Sequence, residues 1–281
     1  MNKFTKILSL FLALLMVVFS FTACQDLFGK DSDENDDKSE TKELTPEERF
    51  EAANKTMENI QKFEVDLTFD STTTVKYGAE SESMRYVMSM NMKGDGTNPD
   101  NLLLSANGSL KMPDLGISVA MEMYMKDGYT YTKALEEKTK ELSSQDINQE
   151  KDPITLAFEA LDTAVYTENE DGSLTVKVTL SGKENKDAFI DMMMGGTSFT
   201  KEDIQLCKVN DVDVVFTIDK DNKFTEISFP VSISLDDDMG TDLSVSYTMS
   251  LSFISTSNDI ELVFPDDLDT YVYTEDGGSI I

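Results

Sequence analysis

The sequence predicts an α+β fold: one large antiparallel β-sheet with a few helices covering its apolar face. Two patterns and one imbalance point to it. Through eight segments between residues 63 and 253, apolar residues alternate with polar ones, the period of a half-buried strand. In shorter segments the spacing changes to three and four residues, the period of an amphipathic helix. The imbalance is one of supply: the strands present about forty inward apolar side chains and the helices only about eleven, so the sheet either folds onto itself as a sandwich or closed barrel or curves around the helices and leaves an apolar cavity.

The chain opens with "MNKFTKILSLFLALLMVVFSFTAC", a basic start at Lys3 and Lys6 followed by an apolar run from Ile7 to Phe21. This is the layout of an export signal, and the run is short of the roughly 20 residues a bilayer-spanning helix needs. "FTAC" resembles the bacterial lipobox, with Phe21 standing where leucine is usual. The resemblance implies that residues 1–23 are a cleaved signal and that Cys24 receives a diacylglycerol. Two or more acyl chains give stable membrane anchoring where one is marginal. Residues 24–44 then form an anchored, acidic linker, with 31–43 nearly all charged or polar and too poor in apolar surface to fold. Residues 45–281 are expected to be a single domain.

That domain begins at "TPEERFEAANKTMENI", where Thr45 suits a helix N-cap, Pro46 the first helical position and Glu48 completes a capping box. Phe50, Ala53, Met57 and Ile60 make its apolar stripe. From Phe63 the period becomes two: Phe63, Val65, Leu67 and Phe69 form one strand face, and Met84, Tyr86, Met88, Met90 and Met92 the next. Leu104, Ala106, Leu110 and Met112 follow, then Ile117, Val119, Met121, Met123 and Met125. Asp127-Gly128 is a hairpin turn leading to Tyr129 and Tyr131, which are expected to continue the apolar face.

Residues 136–152, "EEKTKELSSQDINQEKD", read as a break that ends at the capping Asp152. Pro153 starts a short helix with Ile154, Phe158 and Leu161, and Asp171-Gly172 turns a hairpin into Leu174, Val176, Val178 and Leu180. "NKDAFIDMMMGG" reads as a helix ended by Gly195, and "FTKEDIQL" as one more turn. Three strands close the chain, on Val212 to Ile218, Ile227 to Leu235 and Leu243 to Phe253, before a tail interrupted by Pro265.

Composition removes several function classes. The formal charge of −30 repels nucleic-acid phosphate and anionic headgroups, so no nucleic-acid partner is expected. Without histidine there is no imidazole base and no imidazole metal ligand. No Gly-rich phosphate loop or CxxC is present, and no acidic pair stands out by placement, so no catalytic residue, cofactor or enzyme activity is expected. "LDDDMG" and "PDDLD" contain loop acids of the type that hold hard cations; they read better as hairpin or loop acids, and no metal site is assigned. With Cys24 lipidated, Cys207 is left as a buried small hydrophobe.

The lipidated cysteine, acidic linker, opening helix and long one-sided strands resemble the LolA/LppX-like lipoprotein superfamily over roughly residues 45–270. "MEMYMKDGYTYTK" and "IELVFPDD" are similar to stretches in Gram-positive members of unknown function. The resemblance implies a curved half-barrel whose concave face, partly covered by helices, holds acyl chains in the characterised members. It also implies an extracytoplasmic location, anchored to the cell membrane. Methionine is unbranched and polarizable and accepts varied apolar partners. The candidate ligand-binding residues are therefore Met84, Met88, Met90, Met92, Met121, Met123, Met125 and Tyr86, with Phe50 and Met57 from the helix. Two functions follow: a lipoprotein that binds a lipid or other apolar ligand, or a non-enzymatic structural lipoprotein with a dry core that docks another envelope protein.

Overall fold

Among the described residues the strands pair into one sheet of thirteen, and three α-helices complete an α+β fold. The structure, a computed structural model, describes residues 44–77, 80–98, 101–143, 153–194, 206–236 and 241–274. The leader, Cys24, the acidic linker to residue 43, Gly195, most of "FTKEDIQL", Asp237 and Asp238 lie outside them.

Helix α1 (Pro46–Glu58) leads into β1 (Lys62–Tyr77), β2 (Glu80–Asp95), β3 (Leu103–Met112), β4 (Ile117–Lys126), β5 (Tyr129–Ala134) and β6 (Glu137–Leu142). Helix α2 (Pro153–Glu159) precedes β7 (Val165–Glu168) and β8 (Leu174–Leu180). Helix α3 (Lys186–Met194) precedes β9 (Cys207–Val209), β10 (Val212–Ile218), β11 (Phe224–Asp236), β12 (Thr241–Ser255) and β13 (Val272–Tyr273). Across the sheet the order is β13, β6, β5, β4, β3, β2, β1, β12, β11, β10, β8, β7, with β9 pairing beside β10 on β11. Every pairing is antiparallel except β13 on β6. Its apolar side forms one continuous core from Ala134 on β5 to Leu174 on β8. This is the half-barrel layout implied by the LolA/LppX resemblance.

Local chemistry places the turns. Asp127 and Gly128 both have positive φ, 53° and 76°, as a tight hairpin between right-twisted strands requires. α1 begins as its sequence dictates: the Glu48 amide donates to Thr45 Oγ1 at 3.2 Å, and the Thr45 amide donates to Glu48 Oε2 at 2.7 Å.

The structure refines the sequence reading in four places. Part of the expected break is strand β6, whose "EKTKEL" has no apolar alternation to mark it. Tyr131 does not join the apolar face. It sits opposite Tyr124 on the other side of the sheet, and Tyr129 shares its side. The described helices cover the apolar face at one end, α1 against β7, α2 against β8 and β10, and α3 against β9. The tail, finally, is a strap. After β12 it crosses the outer face, accepting hydrogen bonds from Lys62 Nζ at the Ile260 carbonyl and from Ser105 Oγ at the Val263 carbonyl, both 3.3 Å. Phe264 packs on Tyr124, Asp267 pairs with Lys138, and Tyr271 stands edge-on to Tyr131 before β13 joins β6. Burial, with the nearby Glu122 and Asp267 carboxylates, pushes the Tyr271 hydroxyl up to about 12.

One side chain ties α1 to the sheet. Arg49 Nε donates to Asn222 Oδ1 at 3.0 Å, and Nη2 donates to the carbonyls of Gly172 and Asp219 at 3.0 and 2.9 Å. The fork thus spans two hairpin turns at once, a geometry an ammonium does not supply. Above it, Phe50 meets Phe158, Tyr166, Phe216 and Phe224, with centroids 5.5 to 6.4 Å away. Arg49→Ala is expected to cost about 2–3 kcal/mol in denaturant unfolding, and Arg49→Lys to recover less than half of that loss.

Candidate functional site

The sheet register decides which side chains share the inner face. Four rows run across β1 to β5. They are Phe69, Met88, Leu110, Val119; Leu67, Met90, Gly108, Met121, Ala134; Val65, Met92, Ala106, Met123, Thr132; and Phe63, Gly94, Leu104, Met125, Thr130. Two methionine pairs therefore bracket the smallest residues of β3: Met90 and Met121 flank Gly108, and Met92 and Met123 flank Ala106. The small residues leave a trough along β3, and the thioethers lie across it. Met90 Sδ is 2.7 Å from where a Cβ on Gly108 would stand, and the Phe63 ring covers Gly94 in the same way. Unbranched side chains fill such gaps by changing rotamer.

Seven of the ten expected inner-site residues join these rows or the next one. Met88, Met90, Met92, Met121 and Met123 are at most 5% exposed, and Met125 is half-buried. Tyr86 pairs with Ser71 in the adjoining row and donates to Met84 Sδ at 2.6 Å; Met84 lies one row further out, opposite Thr73. The other two are elsewhere. Phe50 lies in the aromatic cluster under α1, and Met57 lines a cleft of about 370 Å³ between α1 and the ends of β11 and β12.

Two polar features of the inner face were not singled out in the sequence. Tyr247 sits opposite Ser71 and Val231, its ring 5.3 Å from that of Phe69. Its hydroxyl is buried with no hydrogen-bond partner, and burial drives its pKa well above the usual tyrosine value. An enclosed, unsatisfied hydroxyl costs about 1–3 kcal/mol. Nothing in a period-two pattern separates such a tyrosine from a phenylalanine. The second is Glu141, opposite Thr130 on the inner side of β6, where burial alone raises its carboxyl.

The opposite face is polar. A groove of about 730 Å³ there includes Thr68, Thr72, Ser232, Ser246, Thr248 and Ser250 in its lining. Arg85 grips Asp70 in a two-pronged contact, Nε to Oδ1 at 2.9 Å and Nη2 to Oδ2 at 2.5 Å, which holds the Asp70 carboxyl below its usual value. Among the described residues no group of three or more Cys, Asp or Glu is placed to hold a metal ion, and no helix is long and apolar enough to cross a membrane.

Two outcomes follow from this geometry. Gly108→Ala puts a methyl group against the Ser89 carbonyl and Met90, and is expected to lower stability by about 1–3 kcal/mol in chemical unfolding. Glu141→Gln is expected to stabilise the protein at neutral pH and to make no difference below pH of about 4. The raised folded-state pKa favours the fold fully only where the carboxyl is protonated, and that contribution is lost as pH rises through the folded value. Thermal unfolding of both forms across pH 3–8 reads the difference.

Comparison with known proteins places the chain. A search of curated proteins finds no match. Among solved structures, LprF from Mycobacterium bovis aligns over 77% of this chain and 97% of its own, at 12% identity and a TM-score of 0.39. A DUF1329 family protein from Desulfovibrio piger aligns over 75% and 94%, at 10% identity and 0.23. A putative outer membrane lipoprotein-sorting protein domain from Vibrio parahaemolyticus aligns over 73% and 89%, at 10% identity and 0.14. All three scores are below 0.5, and the fold described above rests on the sheet itself. One family model matches residues 45–268, from the N-cap of α1 into the outer strap, and the chain belongs to that family, the family of unknown function DUF6612.

Proposed function

We propose that this chain is an extracytoplasmic lipoprotein, anchored through Cys24, that binds a lipid or other acyl-chain ligand on the methionine-lined inner face of its sheet. The observation that carries the reading is the trough on β3, with Met90 folded over Gly108 and Met121 on its far side. A thioether that fills a gap by rotamer choice also vacates it by rotamer choice, at little cost in strain. The inner face thus has an apolar plug that a ligand can displace. Met88, Met92, Met123 and Met125 extend the same soft surface on both sides of the trough. In this reading the leader directs export, the acidic linker holds the domain off the membrane, and no step of chemistry is required.

A second reading has an observation of its own. The central methionines are nearly inaccessible, as in a dry core, and the hydroxyl-rich outer groove is open. The chain would then be a non-enzymatic envelope protein that meets a protein partner through that outer face.

Native mass spectrometry of the lipidated chain, purified from envelopes in detergent, separates the two. The binding reading expects a non-covalent lipid adduct beyond the Cys24 modification. A bare lipidated polypeptide that also takes up no added diacylglycerol overturns it and leaves the dry-core reading. In the same preparation Cys24→Ala is expected to abolish incorporation of labelled palmitate; retained label would place the anchor elsewhere.

A further inference from the structure

We infer that the Tyr247 hydroxyl anchors the ester carbonyl of a neutral acyl lipid, a deepening of the proposed function that rests on it. Tyr247 is 2% exposed, and its ring does what a phenylalanine would do there, packing on Phe69 from the middle of β12. The hydroxyl adds nothing to that packing and meets no acceptor within the protein. Ser71, also buried, stands directly opposite without bonding to it, and Tyr86 follows on the other side of Ser71. A donor enclosed among Phe69, Val231 and Met249 is satisfied when an acceptor arrives with the ligand.

The charge of the inner face selects the ligand class. No lysine or arginine occupies an inward register position on any described strand. Arg85, next in sequence to Tyr86, faces the other side and is held by Asp70. The charged groups at inward register positions on the described strands are acids: Glu80 and Glu82 at the far end of β2, Glu137 and Glu141 on β6, and Glu168 on β7. A phosphate or free carboxylate brought beside Tyr247 would meet no counter-charge from the strands around it. An ester carbonyl is a good acceptor and carries no charge.

The spacing fits as well. From the Tyr247 row to the Gly108 row is two rows, about 13 Å along the strands, and from β12 to β3 is three strands, about 14 Å across. Measured over the sheet, that diagonal of about 19 Å is comparable to an extended long acyl chain. An ester held at Tyr247 therefore lays its chain toward the methionine trough.

The test offers the lipidated full chain, in detergent, an equimolar mixture of dioleoylglycerol, its dialkyl ether analogue and dioleoyl phosphatidate, with adducts read by native mass spectrometry. Wild type is expected to retain the ester about tenfold over the ether, and to retain phosphatidate least. Tyr247→Phe is expected to bring the ester-to-ether ratio to about one, while the lipid-free variant unfolds at a higher temperature than wild type because a buried orphan has been removed. Equal retention of ester and ether by wild type overturns the anchor even if Tyr247→Phe fails to fold, and leaves lipid binding standing. Phosphatidate retained as well as dioleoylglycerol overturns the neutral class. An unchanged ratio in a folded Tyr247→Phe removes Tyr247 from the site. No adduct with any of the three lipids sinks the lipid reading itself.

Discussion

The rest of the structure depends on the pairing of β1. All sixteen of its residues pair with β2 in unbroken register, and its other edge pairs with β12 along almost its whole length. Because side chains alternate, this register fixes which face every later strand presents. Moving β2 by one residue against β1 would send Met88, Met90 and Met92 to the solvent side and bring Ser89 and Asn91 into the core. The bulge at Glu64 and Val65 on the β12 side leaves that assignment intact for the rest of the strand.

From that constraint comes the problem of cover. Helices shield β7, β8, β9 and β10, where branched and aromatic side chains pack solidly around Phe216. Toward β2, β3 and β4 the inner face changes character. Leu, Ile and Val give way to Met, interleaved with Gly and Ala. One end of the core is specified by shape and the other by flexible filling. Where a protein needs a single rigid packing, branched residues supply it; where it needs a surface that can rearrange, unbranched sulfur-containing side chains do. The two ends of this sheet are packed by different means.

Much of this was legible in the sequence. The capping box at Thr45, the Asp127-Gly128 turn and the faces of the long strands all follow from short-range chemistry that tertiary structure does not override. The methionine rows were legible as a face. Their placement around Gly108 and Ala106 was not, because that depends on the register between strands. β6 was missed because a strand in which Glu137, Thr139 and Glu141 alternate with Lys138, Lys140 and Leu142 carries no hydrophobic period. The helices' position at one end depends on long-range contacts such as Arg49 to Asn222, which no local pattern encodes. Tyr129 and Tyr131 misled because an aromatic residue near an apolar strand looks inward; here the strap supplies a second apolar contact on the outer face. Tyr247 and Glu141 stand out only once burial is known.

The place of β12 has a consequence for how the chain is made. It lies at the middle of the sheet, between β1 and β11, yet it is the last long strand to be synthesised. Until it arrives, β1 to β6 form one ribbon and β7 to β11 another, each ending in a long unpaired edge of the kind that invites aggregation. Closure must wait for contacts as distant in sequence as Glu64 with Ser255, so the final step is slow by topology. The centre of the sheet therefore stays open until the C-terminal strands are available, and one late strand joins the two ribbons into a single fold.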